Sequence, residues 1–184
     1  MNTIKKPWIL VGYTLFAQEG PTGIKVETIA KLVNKNKSSF YHHFAEREIF
    51  IESLLDYHLE RAKIMAEEES HCKNVVPELC NVLLTFKEDL LFNRQLRIHR
   101  DNPQFKACFE KTTQEIAAAI MDIWATGLGL SNHSGLAQIV LNLSMDNFYL
   151  QITEDTLTYE WLTGYFEELK NMVKAFQHTK NIKR

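Results

Sequence analysis

Eight consecutive residues, Lys37-Ser38-Ser39-Phe40-Tyr41-His42-His43-Phe44, carry one ammonium, two hydroxyls, a phenol and two imidazoles. Cations and hydroxyls hold phosphate oxygens, and Ser, Lys and His hydrogen-bond base edges in a major groove. The two Phe are four residues apart and share one face if the segment is helical, which leaves Lys37, Ser38, Ser39, His42 and His43 free. Such a short helix suits DNA.

The flanking residues supply what such a helix needs. Upstream, Val26, Ile29, Ala30 and Val33 recur at helical spacing, and Ala30 is small enough to let another helix cross closely. Asn34 can take the left-handed conformation that ends a helix, and Asn36 is a good N-cap for the next one. The reading is therefore helix, tight turn, helix over residues 26–44. Before it, Trp8 to Glu19 forms a first helix with Pro7 in its opening turn, and Gly20-Pro21-Thr22-Gly23 stops it. Gly12 lies on the apolar stripe and allows close approach. Lys5 and Lys6 are either an arm on phosphate or a solvated terminus.

The run Ile29-Ala30-x-x-Val33-Asn34-x-Asn36-Lys37-Ser38-Ser39-Phe40-Tyr41-His42-His43-Phe44 resembles the helix-turn-helix signature of TetR-type bacterial repressors. The resemblance begins at Leu15-Phe16-x-x-x-Gly20 and continues into Arg47-Glu48-x-Phe50, about the first quarter of the chain. Asn34 stands where the family usually has Gly, Lys35 where an apolar turn residue is usual, Lys25 where a hydroxyl cap is usual, and Arg47 where Lys is common. The resemblance implies an all-α protein: a three-helix helix-turn-helix domain over 1–46 and a helical effector-binding and dimerisation domain over 47–184. It implies DNA contacts from Lys25, Thr28, Lys35, Lys37, Ser38, Ser39, Tyr41, His42, His43 and Arg47. Tyr41 commonly touches the backbone in that family.

Charge agrees with this division. Residues 1–49 hold seven basic against four acidic side chains, while the whole chain of 184 residues has a net charge of -2. A basic end on an acidic body orients a protein on DNA. The chain is 45% hydrophobic, enough for a core. Cys72, Cys80 and Cys108 are odd in number and widely spaced, which favours reduced, buried thiols. No apolar run spans a membrane, and Met1 to Lys6 lacks a signal-peptide core, so a cytoplasmic protein is expected.

Ala45 to about Glu68 reads as one long helix joining the two parts, with Arg47 at its N-terminus where free N–H groups favour phosphate. Glu67-Glu68-Glu69 opposes the helix dipole, so fraying is expected there. Val76 to Phe92 reads as one helix, Asn93 to Asn102 as a polar break, and Phe105 to Leu128 as a further helix. Asn132–Ile152 and Thr156–His178 are two long helices, apolar over a wide arc. They either wrap a monomer core or pair with a second chain as a four-helix interface; the family resemblance implies the dimer.

Catalytic and metal patterns are thin. Glu68-x-x-His71 is a single copy of a spacing that di-iron bundles need twice, and there is no Gly-rich phosphate loop, nucleophile elbow or Cys-x-x-Cys. No enzyme activity, cofactor or metal is expected. Phe86, Phe105, Met121, Trp124 and Phe148 are either plain core or, as the resemblance implies, lining for a small, mainly hydrophobic effector. The sequence thus points to a DNA-binding transcriptional regulator, a repressor by resemblance. It would bind a palindromic double-stranded operator as a homodimer and be released by a small molecule. The alternatives are a DNA-binding protein without ligand control and a helical small-molecule binder whose helix-turn-helix is only structural.

Overall fold

A computed structural model describes residues 4–181, with side chains to residue 177. Among the described residues every regular element is a helix: α1 Lys6–Glu19, α2 Val26–Leu32, α3 Lys37–Phe44, α4 Arg47–Ser70, α5 Cys80–Thr85, α6 Lys87–Ile98, α7 Pro103–Gly127, α8 Ser134–Gln151 and α9 Tyr159–Asn181. A 3-10 turn (Gly20–Gly23) follows α1, and a π turn (Val75–Leu79) precedes α5. No helix among them is long and apolar enough to cross a membrane.

The chain forms two compact units. The first takes in residues through Ala62 together with Glu88–Thr112; the second takes in Lys63–Lys87 and the chain from Thr113 onward. By contacts, the first unit is thus larger than residues 1–46. Its core explains why. Phe40 and Phe44 of α3 meet Phe50 of α4 at ring centroids 5.2 and 4.8 Å away, and Phe16 of α1 stacks on Phe92 of α6 at 4.3 Å and meets Phe105 of α7 edge-on at 5.5 Å. A three-helix head of this size has too little apolar surface to close a core by itself, so the later helices complete it.

Gly12 sits where α1 crosses α4. A Cβ there would stand 2.3 Å from Phe50 Cζ and 3.3 Å from Leu54 Cδ2. Gly20 ends α1 with φ +66, and a Cβ would meet Gln95 Oε1 at 2.7 Å. Gln95 Nε2 donates to the carbonyl of Gln18 at 3.2 Å, so α6 caps the end of α1.

Three expectations from the sequence are revised. The apolar stretch 76–92 is not one helix: it breaks at Phe86, where φ -100 and ψ 27 separate α5 from α6. The polar stretch after it remains helical to Ile98, because Asn93 and Gln95 are buried with hydrogen-bond partners. The end of α4 does not fray at the glutamates; the helix runs to Ser70 and Glu69 is buried.

The close packing at Gly12 gives a test. Gly12→Ala should destabilise the protein by about 1–3 kcal/mol, the range for overpacking a filled core. Chemical denaturation would measure it, and pairing the change with Phe50→Leu should restore part of the loss.

Candidate functional site

The turn between α2 and α3 is built as its residues dictate. α2 ends at Val33, and Asn34 follows with φ 54, a left-handed conformation that Asn tolerates through its short polar side chain. Lys35 N–H then returns to the carbonyl of Ala30 at 2.9 Å. Asn36 is extended, and its Oδ1 accepts from Ser39 N–H at 2.8 Å, satisfying an orphan donor of α3. With Phe40 0% and Phe44 1% exposed, the rotation of α3 is fixed.

That rotation turns Lys37, Ser38, Tyr41 and His42 to solvent, and Lys25, Thr28 and Lys35 are exposed beside them. Ser39 and His43 are half-buried: Ser39 supplies the capped N–H, and the His43 ring packs edge-on to Trp8 at 6.3 Å. Lys37 Nζ bonds Glu27, and this partner holds the Glu27 carboxyl below its ordinary range. Arg47 is turned inward. Its Nε donates to the carbonyl of Ile24 at 2.9 Å and its Nη2 to that of Pro21 at 2.5 Å. The guanidinium ties the start of α4 to the segment leading into α2. Lys25, Thr28, Lys35, Lys37, Ser38, Tyr41 and His42 therefore form one exposed group, and Arg47 braces it.

Behind this face lies a buried polar cluster that sequence reasoning missed. Tyr13 Oη donates to Asp89 Oδ1 at 2.7 Å and meets His58 Nδ1 at 2.6 Å. Arg61 clamps the same carboxylate through Nε (3.0 Å) and Nη2 (2.7 Å). His58 Nε2 meets Asn93 Oδ1 at 3.0 Å, and Thr112 Oγ1 donates to that oxygen at 2.8 Å. Burial lowers the His58 pKa to about 4, so the imidazole is neutral at neutral pH. Burial and the adjacent Asp89 raise the Tyr13 phenol well above its ordinary value. The residues lie 45, 76 and 35 positions apart in sequence pairs, so no local pattern signals them.

Of the five residues considered for an effector, Phe86, Met121, Trp124 and Phe148 belong to the second unit. Phe105 belongs to the first unit, where it lines a polar cavity of about 300 Å³ with Arg47, Glu48 and His99. Phe148 packs on Tyr149, Trp161 and Tyr165 in the second unit. Trp124 lines a second-unit cavity of about 280 Å³, whose lining includes neither Phe86, Met121 nor Phe148. Cys80 and Cys108 are buried, and burial pushes their thiols up to about 11 and about 12; Cys72 is half-buried.

Compared with family models and with curated protein sequences, the chain matches none. Solved structures do match. A chain described as a TetR-family transcriptional regulator from Rhodococcus sp. superposes with TM-score 0.56 at 19% identity, covering 95% of this chain and 98% of that one. GusR of Salmonella enterica gives TM-score 0.61 at 17% identity, with 94% of each chain covered. A second chain described as a TetR-family regulator, from Mesorhizobium loti, gives 0.57 at 16%, covering 94% and 96%. The fold is TetR-like. In this TetR-like fold the helix-turn-helix is α2 and α3, and the following helices form the rest of an all-α chain.

Glu69 is 0% exposed and neither carboxylate oxygen has a hydrogen-bond partner among the described residues. Burial alone raises its pKa from 4.5 to about 8. The folded state therefore keeps a proton that the unfolded chain releases, and stability should fall as pH rises from about 4.5 to about 8. The full effect is on the order of 4–5 kcal/mol at about 1.4 kcal/mol per unit. Glu69→Gln should flatten this part of the stability–pH curve in thermal melts; an unchanged curve would refute the assignment.

Proposed function

We propose that the protein is a transcriptional regulator that binds a palindromic operator as a homodimer through α3, with residues 1–46 as its DNA-binding head. One observation carries this reading: α3 exposes Lys37, Ser38, Tyr41 and His42 on one strip, while Phe40 and Phe44 lock its opposite face into the core. A short, rigidly placed helix with donors and a cation on its free side is what a major groove accepts. Lys25, Thr28 and Lys35 extend the group toward phosphates, and Ser39, His43 and Arg47 support it from partly buried positions. The TetR-like fold favours repression with release by a ligand in the residues from 47 onward.

The dimer reading is supported by apolar residues left open on the last two helices. Leu136, Ile139, Leu143 and Leu150 recur along one stripe of α8, and Met172 and Phe176 stand one turn apart on α9. Leu143 and Phe176 are each 69% exposed. Side chains this apolar on adjacent turns are costly in water and are the usual material of a two-fold interface. Two heads in such a dimer would enter successive major grooves about 34–36 Å apart.

Selection from random duplex DNA on the purified protein should enrich a palindrome whose affinity falls steeply with salt. Lys37→Ala should weaken binding to the selected palindrome, and Lys35→Ala should weaken all sites alike and reduce the magnitude of the salt slope by about 1. An unenriched pool together with an unchanged Lys37→Ala variant would instead support the helical binding protein. Leu143→Lys should shift the protein from dimer to monomer in sedimentation and abolish palindrome binding while leaving helix content intact. A variant that still sediments as a dimer would remove α8 from the interface.

A further inference from the structure

We infer that Glu27 and Lys37 act as one reader of a G·C base pair, with Lys37 donating to guanine and the Glu27 carboxylate accepting from the cytosine amino group. This adds a specificity-determining residue to the surface proposed above, and it rests on the reading of that surface as the one that meets DNA.

Glu27 is the single acidic residue between Glu19 and Glu46, a stretch that also holds Lys25, Lys31, Lys35 and Lys37. It stands in the first turn of α2 and is exposed, like Lys25 and Thr28 beside it. A carboxylate there opposes phosphates, so a surface built only to hold the DNA backbone would not carry it. Its side chain crosses from α2 to α3 and accepts from Lys37 Nζ. The Glu27 and Lys37 side chains are 64% and 55% exposed, so the pair presents its remaining atoms outward. The bond from Lys37 is the first cause that holds the Glu27 carboxyl below its ordinary range, which favours the charged form. Lys37 opens α3, and the burial of Phe40 and Phe44 fixes which way that helix turns.

The chemistry of the pair matches one base-pair edge. An ammonium has three N–H groups, and Glu27 takes one, which leaves two for DNA. A carboxylate only accepts, and it has lone pairs beyond the one that Lys37 uses. Side by side, the two groups present donor, donor, acceptor. In the major groove a G·C pair presents acceptor N7, acceptor O6 and the N4 amino donor, which is the complement. An A·T pair alternates acceptor, donor, acceptor, so it would set the adenine amino group against the ammonium and thymine O4 against the carboxylate. A charge placed only to complement the N-terminus of α2 would need no partner on α3.

The test is selection from random duplex DNA, run in parallel on the full-length wild-type chain and on Glu27→Ala, Glu27→Gln and Lys37→Ala. The pair is exposed and contributes little to folding, so all three variants should melt near wild type. Wild type should fix a G·C pair in each half-site. Glu27→Ala and Lys37→Ala should each lose about tenfold in preference at that same pair and keep the others. Glu27→Gln should move the favoured base from cytosine towards adenine, the partner of a side-chain amide. Glu27→Ala should also hold unselected duplex at least as tightly as wild type, which a merely structural loss would not allow. A folded Glu27→Ala chain that selects the wild-type palindrome unchanged would overturn the inference and leave the regulator reading intact. So would Glu27 and Lys37 variants that lose preference at separate base pairs. Should the Ala variant melt early, the near-isosteric Gln variant decides: a retained preference for cytosine overturns the inference. A wild-type chain that enriches no palindrome would overturn both readings.

Discussion

Asp89 is the charge around which the first unit is arranged. It is 3% exposed, yet it takes two hydrogen bonds from Arg61 and one from Tyr13. A buried carboxylate survives only with such partners, because its desolvation cost is several kcal/mol. Removing one partner from a buried pair typically costs about 3–5 kcal/mol, whereas an apolar replacement of the whole cluster can be neutral. The value of the cluster is thus geometric. Tyr13 belongs to α1, Arg61 and His58 to α4, Asp89 and Asn93 to α6, and Thr112 to α7. Four helices must be in register for every bond to close.

The aromatic rings around this cluster carry the apolar share of the same constraint. Tyr13 stacks on Phe92 at 4.4 Å, His58 stacks on the same ring at 4.4 Å, and Phe16 stacks on it at 4.3 Å. Phe92 is therefore the common surface on which α1 and α4 meet. Its stacking partners include the polar ends that reach Asp89, so packing and hydrogen bonding select one arrangement together. α3 is positioned at second remove: its Phe40 and Phe44 rest on Phe50, which in turn fills the space that Gly12 leaves on α1.

The helix-turn-helix was legible in the sequence because its determinants are local. Asn34, Asn36, Phe40 and Phe44 act through neighbours within one or two turns, and each does in the fold what its spacing implied. The inward turn of Arg47 was not legible, since its acceptors, the carbonyls of Pro21 and Ile24, belong to a distant stretch. Asn93 and Gln95 read as surface residues for the same reason: a polar side chain is buried only where distant partners meet it. Glu69 is the sharper case. It sits in an acidic run that spacing alone assigns to solvent, yet burial at 0% exposure makes it a weak acid of the core. The break at Phe86 was hidden because apolar periodicity continues on both sides of it.

Arg47 ties the helix-turn-helix to the one helix that runs on from it into the second unit. By donating to the carbonyls of Pro21 and Ile24, Arg47 fastens the start of α4 to the segment that leads into α2. The chain passes between units within α4, at the start of α6 and within α7. These three segments are the covalent links between the units. α7 also carries Thr112, the last member of the Asp89–His58–Asn93 cluster. Thr112 is the last residue of the first unit along α7, so the cluster extends to the point where that helix passes into the second unit.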